Sequence, residues 1–472
     1  ISLPNDLDGN PRVVDGDGDG TATVDMGAYE YNCPAGETLY IDHSASGLGG
    51  SWLEAKPDLA LGLDLASYCP HVSQVWVATG VYTPGLRRSD TFQLVEGVAV
   101  YGGFDPAGGA DEFSERDWVA YPAVLSGDIG DDDVKTNGVV LTTTHIVGGN
   151  SYHVVTADGT STPITSTTVL DGFTITAGQA DGNYPHYSGG GFYCDGYGNG
   201  GECRPELRDV TFSGNWADQR GGGMHNYQSS PTLDNVTFSG NASLVGGGMS
   251  NTSSSPVLTD VEFFGNAAVY IGGGMANSSG SPHLSDVTFS GNTARDGGGM
   301  HSELSNPILS GVIFSGNSAA EDGGGMYSDL GSNPVLINVT LSGNSAGEDG
   351  GGMCNIFWSS LYLFNSILWN NQDSSGTATI SATIYNDNTS FITLTHSLIQ
   401  GTGGSASWTS NSSFVDGGNN LDSDPDFIQD VDPSSAPTAA GNLRLQADSP
   451  AIDRGNNVFS SGLSTDLDGK PR

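Results

Sequence analysis

Through the middle of the chain, apolar and polar residues alternate with a period of two in short bursts such as DVTFS and NVTFS, and the bursts return at a nearly constant interval. The pairs Val210/Phe212, Val236/Phe238, Val261/Phe263, Val287/Phe289, Val312/Phe314 and Val339/Leu341 place their apolar members on one side of a short strand. Each burst is followed by an Asn and, in most repeats, by Gly-Gly-Gly-Met. The methionines are Met224, Met249, Met275, Met300, Met326 and Met353, in steps of 25, 26, 25, 26 and 27 residues. Asn215, Asn241, Asn266, Asn292, Asn317, Asn344 and Asn371 keep the same beat. A period of this length, holding short strands and no helix-length apolar stripe, predicts one coil of a parallel β-helix per repeat. Leucine-rich, TPR and ankyrin repeats each need a helical segment or their own signature. The expected class is therefore all-β, a parallel β-helix, and right-handed by the general handedness of parallel crossovers.

Coils stacked about 4.8 Å apart put each repeated residue over its predecessor. The Asn column then becomes a ladder of side-chain amides that bonds the turn backbone of adjacent coils, each bond contributing about 0.5–1.5 kcal/mol. The triple Gly allows a tight corner, and the neighbouring Met fills the uneven space it leaves.

The flanks read differently. Residues 1–32 are rich in Asp and Gly and form a junction segment; 33–136 hold a cap and the first coils; 137–453 are the regular stack; 454–472 are a second junction segment. Within the cap, SWLEAKPDLALGLDLASY spaces Leu59, Leu63 and Ala66, with Leu61 and Leu65, as a short amphipathic helix after Pro57. A helix there would cover unpaired strand edges at the end of the solenoid. The regular stack predicts about twelve coils, or about 60 Å.

Charge narrows the setting. With 14 Lys+Arg against 54 Asp+Glu the formal net charge is −40, and only three residues are lysine. Such a field disfavours nucleic acid and anionic membrane surfaces as partners. It favours bound cations or a salt-screened exterior. No apolar run reaches membrane-spanning length, and a chain starting at Ile1 is expected to be a mature or excised piece. Of the five cysteines, Cys194 and Cys203 bracket a Gly-rich insertion and are paired by spacing, Cys33 and Cys69 would tie the N-terminal segment to the cap, and Cys354 is left over. No His or acid adjoins Cys354 in sequence, which argues against a catalytic thiol.

The Phe-x-x-Asn plus Gly-Gly-x-apolar pairing resembles the repeats of the polymorphic outer-membrane proteins of chlamydiae. GGGM stands here where that family has GGA and an aliphatic residue. The flanking TLYID, VWVATGVYTP, FQLVEGVAVYGGF, SGDIGDDD and DGFTITAG are similar, in this order, to secreted bacterial β-helix proteins of the pectate-lyase-like superfamily. The resemblance implies a secreted or surface-displayed structural or adhesive protein. In similar proteins SPAIDRGNN, TDLDGKPR and a DxGAYE stretch form one closing module. Here NDLDGNPR (Asn5–Arg12) and TDLDGKPR (Thr465–Arg472) lie 460 residues apart, with DMGAYEY following the first copy. A module divided in this way implies one period of a tandem array, or a subunit whose N-terminal segment completes its neighbour. Head-to-tail, non-closing contacts of this kind generate a filament. An ordinary fragment boundary or a duplicated module would leave the same trace.

The motif DGDGDGTATVDM carries the clearest chemistry. Asp15, Asp17 and Asp19 alternate, Thr21 offers its carbonyl and Asp25 follows, a hard-oxygen set like the start of an EF-hand calcium loop. Met26 stands where a bidentate Glu would close that loop. The same residues also suit a solvated turn. Asp6 and Asp8, mirrored by Asp466 and Asp468, are a second Ca²⁺ candidate. Asp296, Asp322 and Asp349 precede three successive Gly-Gly-Gly-Met corners, with Glu321 and Glu348 beside the last two, and form a candidate cation ladder or a solvated row. Asp131, Asp132 and Asp133 are a weaker loop signal.

Polysaccharide lyases and hydrolases also use this fold, gathering carboxylates on one face. Here the outward residues are Thr, Ser and Asn, His225 and His301 fall three coils or about 14 Å apart, and no Arg is expected near an Asp cluster. No catalytic residue is assigned and enzymatic activity is not expected. A carbohydrate-binding adhesin is the nearer alternative, and ladders ending in exposed aromatics would support it. Among the Asn-x-Ser/Thr sites, Asn241 belongs to the ladder, whereas Asn251 and Asn277 are expected on loops open to glycans. The expected protein is an extracellular or cell-surface structural repeat whose copies polymerise head to tail with calcium.

Overall fold

A computed structural model describes residues 33–198, 202–408, 413–459, 465 and 470. Its strands lie almost wholly in three parallel sheets of 20, 10 and 7 strands, and the chain visits the sheets in rotation. This is a parallel β-helix.

The register explains the periodicity. In the largest sheet Leu207, Leu233, Leu258, Leu284, Leu309 and Leu336 stand in one column, and Phe212, Phe238, Phe263, Phe289 and Phe314 in another. The phenyl rings stack nearly flat, with centroids 4.6 to 4.8 Å apart. That spacing is the inter-strand distance, so a side chain that fits one coil fits the next. In the ten-stranded sheet Met224, Met249, Met275, Met300, Met326 and Met353 form a third buried column. Nine steps along this sheet span about 43 Å.

Two features fix the corners. Gly221 adopts φ +61, which other residues rarely accept, and a Cβ on Gly223 would come 2.6 Å from the carbonyl oxygen of Gly248 in the next coil. In the largest sheet a single left-handed residue, Asp209, Asn235, Asp260, Asp286, Asn338, Asn365 or His396, bends each coil between its Leu and its following Val or Ser. Asp and Asn tolerate this conformation because their short polar side chains bond locally.

The N-terminal end is closed. The helix Leu59–Tyr68, capped by Asp58 through the Leu61 amide at 3.0 Å, buries Leu59, Leu63, Leu65 and Ala66 against the first coils while Leu61 faces out. The outer edge of the first strand, Thr38–Ile41, pairs with the loop before that helix, through Tyr40 N–H to Gly49 O at 2.9 Å and Lys56 N–H to Tyr40 O at 2.9 Å.

At the other end the structure departs from a regular stack through 453. The last parallel strand is Phe414–Asp416, paired with Ile392–Leu394. The chain then doubles back outside the solenoid, where Phe427–Gln429 and Asn442–Leu445 pair antiparallel. Thr438 N–H donates to Gly316 O at 2.9 Å, Asn370 Nδ2 to Val431 O at 2.9 Å, and Phe459 stacks on Phe364 at 4.3 Å. These anchors fasten the segment to the coil exteriors, where no helical or alternating pattern is required. No helix among the described residues is long and apolar enough to cross a membrane.

Candidate functional site

The Asn column is a single hydrogen-bonded ladder. All seven residues from Asn215 to Asn371 are 0 % exposed. Asn241 shows the pattern: its Nδ2 donates to Phe212 O at 2.9 Å on one side and to Asn266 Oδ1 at 2.9 Å on the other, while that same Oδ1 accepts from the Asn241 backbone at 3.1 Å. A second ladder runs through Asn226, Asn251 and Asn277 at 2.8 Å per step. Asn251 and Asn277 are therefore buried in strands, and the expectation that they lie on open loops is corrected.

Disulfides join Cys33 to Cys69 and Cys194 to Cys203. Cys354 is buried one residue after Met353, and desolvation pushes its thiol far above the usual range, leaving it unreactive. The calcium candidates Asp15, Asp17, Asp19, Thr21 and Asp25, and Asp6, Asp8, Asp466 and Asp468, lie outside the described residues.

Asp296, Asp322 and Asp349 do stack. The Asp322 amide donates to Asp296 Oδ1 at 3.4 Å and the Asp349 amide to Asp322 Oδ1 at 3.0 Å, so the first two carboxylates each serve the turn of the next coil. Burial pushes the Asp322 carboxyl up to about 6; the Asp349 amide opposes this and the neighbouring acids add to it. Contrary to expectation, an arginine stands on this row: Arg295 Nε lies 3.0 Å from Asp296 Oδ2 and 3.6 Å from Glu321 Oε2. Its backbone sits beside Asp296 at the corner, so one sequence neighbour supplies the counter-charge. Asp329, on the adjoining strand, is raised to about 7 by burial and by Glu303 and Asp296. His301 Nε2 lies 3.7 Å from it, but burial lowers that imidazole to about 3 and leaves it neutral.

In the earlier acidic loop, Asp128, Asp132 and Asp133 bring oxygens within 4.8 Å of one another, Asp128 replacing the expected Asp131. Lys135 Nζ already bonds Asp128 at 2.7 Å and also Asp131. Asp133 accepts from Val147 N–H and Asn150 Nδ2. A hard cation here would compete with the lysine.

The remaining site was not read from the sequence. Tyr184, Tyr187, Tyr193, Arg220, His225 and Tyr227 line a pocket of about 210 Å³ on the outer face of the ten-stranded sheet. Tyr193 lies over His225 in register and their rings stack at 5.8 Å; Tyr197 stacks on Tyr227 at 5.5 Å, and Tyr184 lies 5.8 Å from Tyr187. Tyr184 and Tyr197 are 63 % and 54 % exposed. Tyr193 Oη donates to Asp195 Oδ2 at 3.1 Å. Aligning GGGFYCD with GGGMHNY would have shown the Tyr193/His225 column, but not the loop residues Tyr184 and Tyr187 that complete it. A longer groove of about 620 Å³ runs between Ile313, Ile367 and Leu398 and the returning segment at Leu443 and Arg444, and no tyrosine or tryptophan ring lines it.

No protein-family model and no curated protein matches this chain.

Proposed function

We propose that this chain is an extracellular structural repeat protein whose copies join head to tail into a calcium-stabilised filament or surface layer. The observation that carries this reading is the recurrence of a closely similar octapeptide, NDLDGNPR and TDLDGKPR, on either side of a single solenoid. The solenoid suits such a unit: uninterrupted Asn, Phe and Met columns make it stiff along its axis, and two disulfides fit an oxidising exterior. The first strand's outer edge is occupied, so the copies would meet through the Asp-rich segments and not by strand continuation. The DGDGDG oxygens at Asp15, Asp17 and Asp19 supply the calcium chemistry of that junction. Electron microscopy of the purified chain with calcium and after chelation tests this. Filaments with an axial repeat of one subunit, loosened by chelation, are expected; dispersed monomers in both conditions would refute it.

One observation favours a second reading, a carbohydrate-binding surface protein. The partly exposed tyrosines around Arg220 present flat faces of the kind on which sugar rings pack, with polar groups at their margins. Glycan binding by the full chain, lost in Tyr184→Ala, is the corresponding test.

A further inference from the structure

The pocket around Arg220 carries a positive charge on its wall. Arg88, Arg116, Arg204, Arg208 and Arg295 each sit against a carboxylate. Arg220, like Arg87 and Arg454, makes no ion pair among the described residues, in a chain with 54 acidic and 14 basic side chains. Its backbone is held between Ser188 and Val245 by bridges to the coils on either side, which places the residue at the pocket wall beside His225.

His225 adds a second unmet group. Its Nδ1 lies 3.2 Å from Ser250 O, and a carbonyl only accepts, so Nδ1 carries the proton and Nε2 presents a lone pair. The ring is buried and lines the pocket, and Nε2 has no hydrogen-bond partner among the described residues. Burial, reinforced by the charge of Arg220, lowers the imidazole to about 3, which keeps that lone pair available at any ordinary pH. The pocket thus combines an unpaired guanidinium, a fixed acceptor and tyrosine faces.

A volume of about 210 Å³ is small beside the roughly 300–1,000 Å³ of drug-sized sites, so it suits one ring and not an extended chain. The surrounding negative field would repel a polyanion while a single carboxylate meets Arg220 directly. We propose that the pocket binds a terminal, carboxylate-bearing sugar of a glycan, its ring against the tyrosine faces, its carboxylate on Arg220 and one hydroxyl donating to His225 Nε2. This rests on the carbohydrate-binding reading and adds the charge of the sugar. Sialic and uronic acids share the required chemistry.

The test is isothermal titration calorimetry of the full chain with sialyllactose, a glucuronate-terminated disaccharide and lactose, repeated with Arg220→Gln and Tyr184→Ala. At least one acidic sugar is expected to bind about tenfold or more tightly than lactose. Whichever does so identifies the source. Arg220→Gln should bring it to the level of lactose, and Tyr184→Ala should weaken all binding, with urea midpoints unchanged in both. Should the Gln variant be misfolded, the wild type at raised salt must lose affinity for the acidic sugar alone. Equal affinity of the wild type for acidic and neutral sugars, or an acidic preference that survives Arg220→Gln, would overturn the proposal and leave the carbohydrate reading standing. Absence of binding to all three sugars would overturn both.

Discussion

Replacing Asn292 by Ala removes four hydrogen bonds at once. The Asn292 side chain donates to Phe263 O and Asn317 Oδ1, both at 2.9 Å, and its Oδ1 accepts from the Asn266 backbone at 2.9 Å and from Asn266 Nδ2 at 3.0 Å. Two of the lost partners are backbone groups of the fully buried Phe263 and Asn266, so neither finds a ready substitute. At about 0.5–1.5 kcal/mol for each bond, rising where a buried group is left unmet, the expected loss is about 3–5 kcal/mol. Equilibrium urea unfolding followed by circular dichroism measures it. Asn235→Ala is the control. That side chain bonds only Asp209 Oδ1 from an exposed bend, and Ala is less tolerant of its φ of +52, so the change should cost about 1 kcal/mol. Asn292→Asp sharpens the test, because it keeps the acceptor but turns a carboxylate oxygen toward Phe263 O and Asn317 Oδ1. It should be at least as damaging as Ala. An Asn292→Ala variant within 1 kcal/mol of Asn235→Ala, or an Asp variant more stable than the Ala variant, would refute the ladder energetics.

Three further outcomes are expected. Asp329 is raised in the folded state to about 7 against an ordinary value of 3.8, so the folded protein binds its proton more tightly and this contribution is lost as pH rises from about 4 to 7. Asp329→Asn should therefore flatten the fall in urea midpoint between pH 4.5 and pH 8, and an unchanged slope would contradict the assignment. Native protein should not react with an aromatic disulfide reagent at Cys354, while denatured protein should show one reactive thiol. Gly248→Ala would bring Cβ to 2.6 Å from Gly274 O and 2.9 Å from a Phe263 ring carbon, and should lower the urea midpoint more than any exposed-loop substitution.

The repeating core was legible because each of its residues faces an identical neighbour one coil away, which forces sequence identity at fixed spacing. Asn292, Phe289 and Met300 show this directly. The second ladder was obscured because Ser302 and Ser328 interrupt its column after Asn277, and a short hydroxyl occupies the same slot without keeping the signal. The left-handed column at Asp209, Asn235 and Asp260 was hidden by its tolerance for Asp, Asn, Gly and His alike. The tyrosine pocket was missed for a different reason. It joins an irregular loop holding Tyr184 and Tyr187 to two coils, and nothing in a periodic reading assigns a loop to a face. Arg295 adjoins Asp296 in the sequence, but Glu321, its second partner, is adjacent only across the stack, so a linear reading does not gather the three on one row.

The occupied outer edge at Thr38–Ile41 has a consequence for how such a molecule changes over generations. With one terminus sealed by a dedicated loop and helix, and the last coil followed by a segment anchored along the flank, coils are interchangeable only in between. A duplication or deletion of one repeat in the interior leaves every neighbour with the same partner, whereas recombination through either terminus exposes bare strand. The molecule can thus lengthen or shorten in increments of one coil, about 4.8 Å, without a new closure evolving each time.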